Sequence, residues 1–237
     1  MLTIQPITLR SGMQIYPFRS FDELIQQADG SNRILIAINA EKIIHATDSM
    51  RSLINQNIGY SDGAGAVKAL QRYGMADATK LPGCELWLKV IEHYVPLHKS
   101  FYLVGAKQEV IETVVAKLQK EYPGIRIVGY RNGYLKDAND QAALADDIAA
   151  KRPDVVFVAM GSPKQEYLME SLRQRHAAWY QGLGGSFNVY AGYVKRAPQW
   201  WVNHNMEYAY RLMKEPSRIK RQMHLVKFYF QLRTGRI

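Results

Sequence analysis

Asp154-Val-Val-Phe-Val-Ala-Met160 runs directly into Gly161-Ser-Pro-Lys164, and a helical pattern from about Gln165 to Arg175 follows. The first stretch is apolar throughout rather than alternating, which is how a strand covered on both faces reads. Glycine then breaks the strand and helical spacing resumes. The same order recurs outward along the chain. Arg33-Ile-Leu-Ile-Ala-Ile-Asn39 precedes a helical pattern from about Glu41 to Asn55, and Ser100-Phe-Tyr-Leu-Val104 precedes an amphipathic stretch ending near Tyr122. Ile125-Arg-Ile-Val-Gly129 is followed by helical spacing over Ala138 to Lys151, and Trp179 to Leu183 ends on Gly184-Gly185. A short candidate strand also leads into Tyr60-Ser-Asp62-Gly-Ala-Gly65. Strand, glycine turn and helix, repeated this often, predict an α/β fold: a Rossmann-like parallel sheet with helices on both faces.

The chain has 237 residues, 47% hydrophobic and 22% charged, enough to bury a core without disulfides or a structural metal. Cys84 is its single cysteine, which excludes an internal disulfide framework and a Cys-rich zinc cluster. No apolar run approaches the roughly 20 residues of a spanning helix, and the first residues lack the layout of a secretory signal. A cytoplasmic chain is expected. The net charge of +10 is uneven. Residues 195–237 hold ten Lys or Arg against Glu207 and Glu215, so +8 of it lies there.

The sequence therefore divides into an α/β core, 1–194, and a basic helical appendage, 195–237. Pro198 and Pro216 punctuate that tail. Pro216 fits a first helical position, and Ile219, Met223, Val226 and Phe230 recur at helical spacing, with Leu225, Tyr229 and Leu232 beside them. A basic segment suits nucleic acid, an anionic membrane or a phosphorylated small molecule. Interleaved Trp200, Trp201, Tyr208, Tyr210, Phe228, Tyr229 and Phe230 favour an anionic membrane surface. No nucleic-acid-binding motif is present, so nucleic acid is not expected as a partner. No heptad appears that would set an oligomeric state.

In such sheets ligands bind beyond the carboxyl ends of the strands. Five stretches fall there: Asn39-Ala-Glu41, Tyr60 to Gly65, Gly105-Ala-Lys107, Gly161 to Glu166 and Gly182 to Ser186. The dinucleotide fingerprint and the Walker A sequence are both missing. No Asp-x-Asp pair stands at a strand end to hold a metal, so a bound sugar diphosphate would have to be met by arginines and backbone amides. Asp62, between small residues at a strand-to-helix junction, reads either as a helix N-cap or as a general base. The six histidines show no metal-ligand spacing and read as surface or packing residues.

Six motifs in order carry a resemblance. They are Tyr60-Ser-Asp62-Gly63, Gly161-Ser-Pro-Lys-Gln165-Glu166, Gly182-Leu-Gly-Gly-Ser-Phe187, Lys195-Arg196-Ala-Pro198, Glu207-Tyr-Ala-Tyr-Arg211-Leu and Glu215-Pro216-Ser-Arg218-Ile-Lys-Arg221. From about Ile34 to Arg221 the chain resembles the WecG/TagA/CpsF family of bacterial glycosyltransferases. Ala37-Ile-Asn39-Ala-Glu-Lys42 and Pro216-Ser-Arg-Ile-Lys-Arg-Gln222 look closest to its enterobacterial branch.

The resemblance implies a metal-independent, inverting hexosyltransferase that needs no cofactor. Its donor would be a UDP-sugar, UDP-N-acetyl-D-mannosaminuronic acid in the enterobacterial branch. Its acceptor would be N-acetylglucosaminyl-diphospho-undecaprenol, and the reaction a step of enterobacterial common antigen synthesis at the inner face of the inner membrane. Asp62 would be the catalytic base, and Asn39 and Gln165 would line the sugar pocket. Arg211, Arg218 and Arg221 would approach the UDP diphosphate, with Arg196 among the substrate-binding residues.

Three departures from the family pattern stand out. Asn188 replaces a carboxylate, Lys80 replaces an arginine, and Asn205-Met-Glu207-Tyr208 stands where the family has Gly-Leu-Glu-Trp. A related UDP-sugar donor, such as UDP-N-acetylmannosamine, and a non-catalytic membrane-associated nucleotide-binding module are the alternatives.

Overall fold

The computed structural model describes residues 3–195, 198, 200, 201, 210, 213 and 219–237, and the side chains of 219–223 are not described. Six parallel strands form the central sheet: β3 (Ile34–Ile38), β4 (Ile58–Ser61), β5 (Ser100–Gly105), β6 (Arg126–Arg131), β7 (Val155–Ala159) and β8 (Trp179–Gly182). Their order across the sheet is β4-β3-β8-β7-β5-β6, and every adjacent pair is parallel. A two-stranded antiparallel ribbon, β1 (Ile7–Thr8) with β2 (Gln14–Ile15), lies outside it.

Alternate residues of each strand feed two cores, as a pleated strand buried on both faces requires. On one face Ile34, Ile36, Ile38, Tyr102, Val104, Val156 and Val158 meet the apolar sides of α3 (Asp48–Asn55), α4 (Ala64–Arg72), α7 (Ala138–Lys151) and α8 (Lys164–Arg175). On the other, Leu35, Phe101, Leu103, Val155 and Phe157 meet α1 (Phe21–Ala28), α5 (Gly83–Tyr94) and α6 (Gln108–Glu121). Trp87 of α5 is 1% exposed and packs edge-on against Phe157 and Phe187, an aromatic arrangement that adds to its burial. Buried Asn57 accepts the Ile34 N–H and donates to the Leu53 carbonyl, which ties the start of β3 to α3.

The helix expected over Glu41 to Asn55 is two helices, α2 (Ala40–His45) and α3. Ala46 leaves helical conformation at ψ 125, and the Thr47 side chain accepts the Met50 N–H as a fresh N-cap. The break turns α3 back toward the sheet. Periodicity misses it because the apolar spacing carries through the corner.

The final helix, α10 (Ile219–Arg233), follows the short α9 (Ser186–Tyr190) in the numbering used here. It packs on α2. Phe228 is fully buried and belongs to the same core cluster as Ile43 and Leu70. Its buried seam is Leu225, Phe228 and Leu232, whereas Val226 and Phe230, part of the apolar spacing read from the sequence, face outward at 65% and 60% exposure. The helix is apolar on two sides, and spacing alone does not say which side meets the core. Pro216 lies outside the described residues.

Candidate active site at the carboxyl edge of the sheet

Asp62 and Asn39 stand at the ends of adjacent strands. The Asp62 N–H donates to the Ile38 carbonyl at 3.0 Å, which extends the β3–β4 ladder to the site itself. Asn39 is the N-cap of α2 and its side-chain oxygen accepts the Lys42 N–H at 2.9 Å, while the residue stays exposed at the sheet edge.

Asp62 does not cap the helix that follows it. Gly63 is the N-cap of α4, without a side-chain hydrogen bond. The Asp62 carboxylate turns instead to a different helix: its Oδ1 accepts the N–H of Gly83, the first residue of α5, at 2.6 Å. A half-buried carboxylate at a helix N-terminus meets the positive end of the helix dipole, and the short N–H contact orients it. Beneath it the Tyr60 hydroxyl is fully buried and faces the buried side chain of Gln181. Burial, followed by the charge of Asp62, pushes that phenol well above its ordinary range, so it remains a neutral O–H.

Gln165 sits between the turns that end β7 and β8. Its Oε1 accepts the Gly161 N–H at 3.2 Å and the Gly184 N–H at 2.8 Å, and its Nε2 donates to Glu166. Gly161 and Gly184 both have positive φ, +79° and +57°, where glycine is the residue without strain. The side chain is 4% exposed and acts as a brace between two turns rather than as an open wall. Next to it the Glu166 carboxylate pairs with Lys42 at 2.7 Å, both side chains nearly or wholly buried. This pair joins α2, which follows β3, to α8, which follows β7, across the end of β8.

Beyond that brace a cavity of about 830 Å³ opens over the ends of β5 to β8. Gly133, Tyr134, Met160, Gly161, Gly184 and Asn188 are among its lining residues, as is Lys164 at the N-terminus of α8. Among the described residues, Lys164 is the one charged residue lining it, and no carboxylate does. Helix N-termini and glycine turns of this kind take anions. Asp62, Asn39 and Gln165 do not line the cavity: the first two lie toward the β4 edge, and Gln165 holds the two glycines that do line it.

Arg196, Arg211 and Arg218 lie outside the described residues, and for Arg221, on α10, the side chain is not described. The geometry around Asp62 escaped sequence reading because Gly83 lies 21 residues away. The helical spacing of Leu86, Val90 and Tyr94 would have signalled α5 but not where its first N–H points. One further contact was also hidden. His45 Nε2 and His224 Nδ1 are 2.7 Å apart between α2 and α10, although they are 179 residues apart in the chain.

A Rossmann-like parallel sheet, with a cavity and a carboxylate at its carboxyl edge, places the chain among the α/β proteins whose ligands bind beyond the strand ends. The sequence model of the glycosyl transferase WecG/TagA/CpsF family matches residues 12–237. The chain belongs to that family and is a glycosyltransferase, acting on a sugar donor and an acceptor. Among the described residues no helix is long and apolar enough to cross a membrane.

Proposed function

We propose that the protein moves N-acetyl-D-mannosaminuronic acid from UDP to N-acetylglucosaminyl-diphospho-undecaprenol, a step of enterobacterial common antigen synthesis, with inversion at the anomeric carbon. The resemblance of the Ala37-to-Lys42, Ala159-to-Glu166 and Pro216-to-Gln222 motifs to the enterobacterial branch supports this choice within the family. Asp62 takes the proton of the attacking acceptor hydroxyl. The hydroxyl oxygen then bonds to the anomeric carbon as the bond from that carbon to UDP breaks and the diphosphate departs with the electron pair.

The observation that carries the reading is the fixed Asp62 carboxylate at 2.6 Å from the α5 N–H. A base must be aimed before it is basic. Asn39, at the neighbouring strand end, is positioned to help seat the sugar, and Gln165 acts by holding Gly161 and Gly184 at the cavity rim.

The donor diphosphate goes to the cavity at the N-terminus of α8. Among the described lining residues Lys164 is the one cation, which underfills a diphosphate's charge, and none is a carboxylate that would hold a bridging cation. Arg196, Arg211, Arg218 and Arg221, from the 195–237 appendage, are assigned the remainder, as guanidinium forks suited to phosphate oxygens. The same segment holds the protein at the inner face of the membrane. Val226, Tyr229 and Phe230 are exposed on α10 beside Lys227 and Arg233, a mixture of apolar and basic groups that suits an anionic leaflet.

The test is a screen of UDP-sugars against synthetic N-acetylglucosaminyl-diphospho-prenol, read by mass spectrometry. Addition of N-acetylmannosaminuronic acid is expected. Transfer only from UDP-N-acetylmannosamine would move the assignment to another branch, and donor binding without transfer under any pairing would contradict catalysis.

A further inference from the structure

Gly83 opens α5 with a residue whose backbone does not call for glycine, since its φ lies outside the left-handed region. On helix propensity alone alanine would be preferred there. What excludes a side chain is space: a Cβ on Gly83 would lie 2.8 Å from Tyr60 Oη and 3.4 Å from Asp62 Oδ1. The first distance is tighter than a real Cβ tolerates, and the neighbour is the tip of a fully buried ring. Gly83 itself is buried between Pro82 and the sheet.

The three groups form one arrangement. Tyr60 fills the floor, Gly83 passes over its hydroxyl, and the Gly83 N–H reaches Asp62 at 2.6 Å. We infer that Gly83 is a positioning residue for Asp62: its missing side chain lets the α5 N-terminus come close enough to orient the carboxylate, with Tyr60 setting the height. This rests on Asp62 being the base proposed above. A methyl group at position 83 would lift the helix end from the Tyr60 hydroxyl, lengthen the N–H to carboxylate contact and shift the carboxylate from its aim. Donor binding, which belongs to the cavity at the other end of the edge, would not change.

The test is a double-mutant cycle on the full-length protein, with UDP release measured from UDP-N-acetylmannosaminuronic acid in the presence of the lipid-diphosphate acceptor. Gly83→Ala is expected to lower kcat by roughly 10- to 100-fold, the usual consequence of an ångström-scale misplacement, with the donor KM unchanged. Tyr60→Phe removes the oxygen that the methyl group would strike. The Gly83→Ala/Tyr60→Phe protein is therefore expected to recover most of the lost kcat, which general damage to the fold would not allow.

Full activity in Gly83→Ala, or a double variant no better than the single, overturns the inference. Should the single variant not fold, the double variant carries the test, and a folded but inactive double variant overturns it. Asp62→Asn in the same assay separates the two levels. An active Asp62→Asn removes the base reading itself, whereas an inactive Asp62→Asn beside a normal Gly83→Ala removes only the role given to Gly83.

Discussion

At the scale of single residues, chemistry and architecture are divided among neighbours. The Asp62 carboxylate accepts a backbone N–H from the first residue of another helix, which orients it from outside its own loop. Asp62→Asn keeps the shape and loses the base, so turnover is expected to fall by roughly 10²–10⁴-fold, while UDP affinity measured by calorimetry stays close to the parent value.

Gln165 presents the opposite case, a polar side chain whose work is structural. Gln165→Leu removes the acceptor for two backbone amides, at a cost of about 1–3 kcal/mol for each one left without a partner. Urea unfolding should show a lower midpoint. Position in the motif singled out both residues in the sequence. It did not distinguish the aimed carboxylate from the buried brace, because Asp62's partner lies on another helix and Gln165's partners lie on two separate turns.

Among elements, the strands were the most legible. Arg33 to Asn39, Ser100 to Val104 and Asp154 to Met160 match β3, β5 and β7 to within a residue at each end, because burial on both faces leaves an uninterrupted apolar run. Corners and contacts were less so. The turn between α2 and α3 depends on Thr47 capping a new helix inside a continuous apolar pattern, and the buried seam of α10 depends on which side finds α2.

The His45–His224 contact between these two helices responds to acid. Burial, then the nearby His224 and Lys227, lowers His45 below its ordinary value, against an opposing pull from Glu41. Folded protein thus prefers neutral His45. Its contribution is whole above about pH 6.5 and is lost as the pH falls below that toward the lowered folded value. Amide protection factors in residues 219–233, which remove the intrinsic pH dependence of exchange, should fall from about pH 7.5 to about pH 5.5 more than those in β7 do. An equal fall in both would contradict a local latch.

Over the whole molecule, the sequence divides the chain by charge and the structure joins its ends by packing. Phe228 and Ile237 are buried in the core cluster, and the Arg10 guanidinium bonds to the Gly235 carbonyl. Removing everything after Tyr193 therefore strips core as well as tail. Loss of Phe228 alone removes a burial of the kind worth about 3–5 kcal/mol. The truncated protein is expected to melt well below the parent and to be inactive, and an active truncated protein would contradict the role given to the appendage.

Charge distribution made that appendage visible in the sequence, because ten cations against two carboxylates need no structure to be noticed. Its docking was not visible, because nothing in the sequence marks Phe228, among the aromatic residues around it, for burial.

The central claim is that sugar transfer from UDP proceeds on Asp62 and the carboxyl-terminal guanidinium groups without a divalent cation. The most direct measurement is the rate of glycolipid formation with UDP-N-acetylmannosaminuronic acid and the lipid-diphosphate acceptor, with and without excess EDTA. The same rate in both is predicted; a rate that collapses in EDTA and returns on adding magnesium would contradict the claim.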